Sequence, residues 1–202
     1  MPRVKPERKA ARRAEIIEAA RVCFARNGFR MTTLQDVFAE SGLSAGCVYN
    51  YFRSKNELML AVADARHDAE ARVVTKGLEV SDPVAGLVGV AEAFVAEYLS
   101  AREQPRRIAL ETWSESLRNP AILKAVHQGL HGPRKQIVHL IERGKVMERF
   151  SADIDPDMAA RTIIALFHGF VLQRLWDPKL SARAILTTFK TLLPSLLGVS
   201  AL

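Results

Sequence analysis

Cysteine is nearly absent from this 202-residue chain, which holds only Cys23 and Cys47. Two thiols build no disulfide framework and suit a reducing compartment, so free cysteines in a cytoplasmic protein are expected. Long apolar runs are missing too. The longest, Ile163 to Leu172, is interrupted by His168 and Gly169 and falls short of the length that crosses a bilayer, which argues against a membrane partner. The basic start, Met1-Pro2-Arg3-Val4-Lys5, leads into no apolar stretch, so no secretory leader is expected. Alternation of apolar and polar residues between tight turns, the mark of strands, does not occur. Nor is there a Glu-x-x-His pair of the kind that loads metals into helical bundles.

What is present is ordinary for a folded domain: 49% hydrophobic and 25% charged residues, enough apolar material for a substantial core. The net charge is +7, and its placement is uneven. Residues 1–60 carry 11 Lys/Arg against 6 Asp/Glu, whereas residues 61–202 carry 18 against 16. Arg3, Lys5, Arg8, Lys9, Arg12 and Arg13 crowd the start. A basic segment on an otherwise near-neutral chain points to a polyanion partner for that segment, or to a solvated tail.

Every segment reads as helix, giving an all-α fold. A first helix is expected from about Lys9 to Asn27, stopped by Asn27-Gly28. Thr33 caps a short helix with Asp36 as its capping-box partner, Gly42 ends it, and Ser44 caps another through Phe52. Ser54-Lys55-Asn56-Glu57 is a second capping box, opening a helix that continues out of the N-terminal region. Asp82-Pro83, Asn119-Pro120 and Asp155-Pro156 each place a capping side chain before a proline. With starts at Gln104-Pro105 and Ser181, they predict helices over 83–102, 105–118, 120–143, 156–176 and 181–197. Gly132-Pro133 inside the third predicts a kink or break.

Residues 33–52 therefore hold two short helices joined by Ser41-Gly42-Leu43, the layout of a helix-turn-helix whose second helix enters the major groove. Leu43 and Val48 face inward, and Ser44, Ala45, Gly46, Tyr49 and Asn50 face out. These outward residues are small or polar, which permits close approach to the groove. The stretches Thr32-Thr33-Leu34-Gln35-Asp36-Val37, Ser41-Gly42-Leu43-Ser44-Ala45-Gly46-Cys47-Val48-Tyr49-Asn50-Tyr51-Phe52 and Ser54-Lys55-Asn56-Glu57-Leu58 closely resemble the DNA-binding domain of the TetR family of bacterial transcriptional regulators. Detailed similarity spans about residues 12–62, and the remainder resembles the family in length, helical character and helix order.

The resemblance implies a three-helix DNA-binding domain over residues 1–54 and a helical ligand-binding and dimerisation bundle over 55–202. Thr33, Tyr49, Asn50 and Lys55 are placed at phosphates, and Ser44, Ala45 and Gly46 at the base-reading end. Three positions depart from the family's habit. Ala45 replaces a frequent Lys or Arg, Asn50 a frequent His or Arg, and Phe38 a common Ala. The first shifts readout toward a thymine methyl, the N-terminal arm or DNA shape, and the last predicts a changed spacing of the motif helices.

Two-fold doubling of the motif on palindromic double-stranded DNA calls for a homodimer. The stripes Ala160, Ile163, Ile164, Phe167, Val171, Leu175 and Ile185, Phe189, Leu192, Leu193, Leu196 nominate the last two helices for it, shared with the protein's own core. An effector of unknown chemistry is assigned to Phe94, Tyr98, Glu111, Trp113, His127, Phe167 and Phe170, with Trp176 and Gln136 further candidates. No cofactor, metal or catalytic role is expected. The i, i+4 pair His127 and His131, with His139 and His168 elsewhere, is the nearest approach to a metal site. The expected function is a ligand-released repressor, with an activator or an architectural DNA-coating protein as alternatives.

Overall fold

The computed structural model describes residues 6–99 and 103–198, and among them it contains nine helices and no strand. In chain order these are α1 (Pro6–Met31), α2 (Leu34–Ser41), α3 (Ala45–Tyr49), α4 (Lys55–Leu78), α5 (Pro83–Tyr98), α6 (Gln104–Ser116), α7 (Pro120–Val146), α8 (Pro156–Trp176) and α9 (Ala182–Leu196). The expected all-α architecture is thus observed. Arg3 and Lys5 of the basic arm lie outside the described residues, whereas Arg8 to Arg13 are helical; α5 ends at Tyr98 with Leu99 as its C-cap, short of the end expected at 102.

The predicted caps are in place. Thr33 and Asp36 form a reciprocal box, and Ser44, Asp82, Asp155 and Ser181 each accept backbone N–H bonds at the start of their helices. The second box differs in one detail. Ser54 Oγ accepts from the Glu57 N–H at 3.2 Å, but the Glu57 carboxylate reaches back one residue further, to the Arg53 N–H at 2.8 Å. Gly42 adopts the left-handed C-cap (φ 65°), so the turn expected of it is present. Helical geometry in α1 is interrupted at Gly28 (φ 77°, ψ 162°), after which the chain makes a further turn to Met31.

Of the kink or break predicted at Gly132-Pro133, the break does not occur: α7 runs through both residues. Pro133 removes one backbone donor, yet its fixed φ is helical. The preceding Gly132 carries no Cβ for the proline ring to meet, which relieves the usual clash before proline. Buried Val126, Ile137 and Leu140 then hold the turns on either side.

The chain divides into two compact units, one of residues 1–66 with 107–126 and the other of 67–106 with 127–202. In the first, α1 packs on α2 and α2 on α3. Its core includes Ile16, Phe24, Phe29, Val37, Val48 and Leu58, all at most 1% exposed. Phe24 and Phe29 meet edge to face at 4.6 Å between ring centres. In the second, α5 packs on α9. An aromatic chain links Tyr98, Phe94, Phe167 and Phe189 through centroid distances of 4.7, 4.7 and 5.1 Å. Cys23 and Cys47 are both free thiols.

Candidate functional site

The α2–turn–α3 segment presents the face anticipated for it. Ser44, Ala45, Gly46, Tyr49 and Asn50 are exposed, Val48 is fully buried and Leu43 is half-buried. Ala45 is exposed and a Cβ added at Gly46 would meet nothing within 4 Å, so the helix start is open to close approach. Thr33 at the head of α2 accepts from the Asp36 N–H at 3.2 Å, while its own N–H and hydroxyl donate to Asp36 Oδ2 at 2.7 and 2.9 Å. These bonds hold the Asp36 carboxyl below the usual range, the Thr33 backbone bond first and its hydroxyl second. Tyr49 is 48% exposed, and its ring is met edge to face by Phe38 at 5.7 Å. Phe38 therefore supports Tyr49 from α2, a pairing that sequence position alone did not reveal. Lys55 is already engaged: its Nζ donates to the carbonyls of Arg30 at 2.9 Å and Thr32 at 3.0 Å, tying α4 to the end of α1. An ammonium has three donors, so one remains for a phosphate.

The residues nominated for the effector are divided between the two units. Glu111 and Trp113 belong to the first unit. There the Glu111 carboxylate accepts the Phe29 N–H at 2.8 Å, and Trp113 lies 6.0 Å from the Arg66 guanidinium. Phe94 and Phe167 line a hollow in the second unit, and His127 lines a larger neighbouring one. Tyr98 is buried behind Phe94, and Phe170 and Trp176 line neither hollow. Gln136 donates to Thr75 Oγ1 at 3.1 Å. Among the described residues no group of three or more His, Cys, Asp or Glu could hold a metal ion.

The apolar stripes on the last two helices divide as well. Ala160, Ile163, Phe167 and Val171 on α8, and Ile185, Phe189 and Leu193 on α9, are buried within the single chain. They are core first. Met158, Trp176 and Leu192 remain 56%, 75% and 47% exposed.

Two family descriptions match the chain. Residues 16–62 match the bacterial regulatory proteins of the tetR family, and residues 89–198 match the C-terminal region of BetI-type transcriptional repressors. The chain belongs to the TetR family. Among relatives of this TetR-family protein, the HTH-type regulator YfiR of Bacillus subtilis is 44% identical over 78 residues, 39% of this chain and 38% of YfiR. The repressor Rv1474c of Mycobacterium tuberculosis is 34% identical over 96 residues, 48% of this chain and 47% of that one. The chain thus matches less than half the length of either curated relative. The solved structure of Salmonella enterica GusR is 27% identical, covers 96% of this chain and 98% of its own, and superposes with a TM-score of 0.80. Among the described residues no helix is long and apolar enough to cross a membrane.

Within this TetR-family framework, sequence reasoning missed Arg134 and Arg161, which stand beside His127, His131 and His168 around the larger hollow. The signal that could have found them is a shared helix face: Arg134 follows His131 by one turn on α7, and His168 follows Arg161 by two turns on α8.

Proposed function

We propose that the protein is a cytoplasmic, non-catalytic transcriptional repressor that binds a palindromic operator as a homodimer and is released by a small molecule. The observation that carries this reading is the exposed, small-residue start of α3 over a fully buried Val48, which lets a helix enter the major groove. Ser44, Ala45 and Gly46 read bases. Tyr49, Asn50, the third donor of Lys55 and the first backbone N–H groups of the α2 start that Thr33 caps hold phosphates. Dimerisation uses the outer faces of α8 and α9, where Met158, Trp176 and Leu192 remain exposed after the chain's own core is filled. The effector occupies the hollows bounded by Phe94, Phe167 and His127, and shifts binding only by as much as it prefers one arrangement of the dimer over another.

Selection of genomic fragments by the purified protein at physiological salt tests the reading. One inverted repeat should be preferred by roughly a thousandfold or more over random DNA. Salt-sensitive binding without an enriched repeat would instead make the protein an architectural coat.

A further inference from the structure

The second unit holds two adjoining hollows of opposite character. The smaller, about 40 Å³, is walled by Val90, Phe94, Ile137 and Phe167, with Glu70 also on its lining. That is room for roughly three water-sized groups. The larger, about 470 Å³, lies between α7 and α8 and is bordered by His127, His131, Arg134, Arg161 and His168. Leu130, Ile164 and His168 line both, so the two spaces meet along that wall.

The charge on the larger space is unbalanced. Asp157, at the start of α8, holds both arginines: Arg134 Nη1 at 2.9 Å and Arg161 Nε at 2.7 Å. One carboxylate thus orients two guanidinium groups. Each has five N–H donors, and the pairing engages one of them on either side, so the forks retain donors for a second anion. The imidazoles of His127 and His131 add polar groups to the same wall.

We propose that this double hollow binds a molecule with a carboxylate or phosphate head and a short apolar tail. The head sits against Arg134, Arg161 and the histidines, and the tail lies against Phe94 and Phe167. The inference rests on the ligand-responsive reading above and adds the effector's chemical class.

Calorimetric titration of the full-length protein at pH 7 with four six-carbon probes tests it: hexanoate, hexyl phosphate, hexan-1-ol and hexyltrimethylammonium. At least one anion should bind ten times more tightly than the alcohol, the cation should be the weakest, and the better anion identifies the head. Arg134→Gln should remove that preference while leaving the alcohol within about twofold. His131→Gln, at an exposed position that the core does not need, should weaken the anion severalfold and guards against a folding defect in the first variant. Equal binding of alcohol and anion, tightest binding of the cation, or an anion indifferent to both substitutions would overturn the proposal. Operator affinity with and without saturating anion separates the two readings. Anion binding that leaves operator affinity unchanged upholds the site and overturns its role as effector cavity.

Discussion

Replacing Glu111 by alanine should destabilise the protein through a residue 82 positions away in sequence. The Glu111 carboxylate accepts the Phe29 N–H at 2.8 Å, just where positive φ at Gly28 interrupts α1 and leaves that donor without a helical acceptor. Phe29 is 1% exposed, so water does not easily take the carboxylate's place. Losing a charged acceptor from a buried donor costs about 2 kcal/mol. For a chain of this size, each kcal/mol lowers the melting temperature by about 2–4 °C, giving a fall of about 4–8 °C for Glu111→Ala. Glu111→Gln keeps an acceptor oxygen and loses only the charge, so about 1 kcal/mol and half the shift are expected. Thermal unfolding followed by far-ultraviolet circular dichroism reads both. A Glu111→Ala protein that melts within 1 °C of the parent would refute the reasoning.

Tyr49→Ala should weaken binding to all DNA by a similar factor and slightly flatten its salt dependence; losing affinity for a single sequence would contradict a phosphate role. Ala45→Lys should change which sequence is preferred in a selection experiment, and an unchanged preference would place base reading elsewhere. Phe38→Ala removes the edge-to-face contact with Tyr49, costing about 1 kcal/mol of stability and severalfold in operator affinity; unchanged affinity would mean that Tyr49 needs no support from α2. Asp36, whose carboxyl is held below its usual range by Thr33, contributes stability that is complete above the unfolded carboxylate value and lost as pH falls through the lower folded one. The stability difference between the parent and Asp36→Asn should therefore be constant from about pH 7 to 5 and shrink below about pH 4. A difference that persists unchanged to pH 2 would refute it.

Helix starts were legible because the information is local. Asp82, Asp155 and Ser181 bond N–H groups two or three residues away, a distance that a sequence displays directly. The outward face of α3 was legible for the same reason, since one turn around Val48 determines which residues are left over. The bond from Phe29 to Glu111 was not legible because the two belong to different helices, and an acidic residue on an amphipathic segment gives no sign of what it caps. The α8 and α9 stripes show the limit of periodicity: it marks Phe167 and Phe189 as buried without saying against what, and the chain's own core takes them first. Arg134 and Arg161 were missed because Asp157, which orients both, is a first-turn acid that reads from sequence as a helix-end charge.

The first unit is assembled from two pieces of chain, residues 1–66 and 107–126. Its two joins include the Phe29 bond to Glu111 and the Arg66 guanidinium over Trp113. The DNA-reading head is therefore incomplete while it is being made. At ordinary synthesis rates roughly 3–12 s pass between the emergence of residue 66 and that of residue 126. For most of that interval the Phe29 donor waits for a partner not yet translated. The same arrangement governs recombination between related genes. A crossover that exchanges only the first third of the protein would graft a head onto a foreign α6, whereas one that carries residues 107–126 along transfers the whole unit.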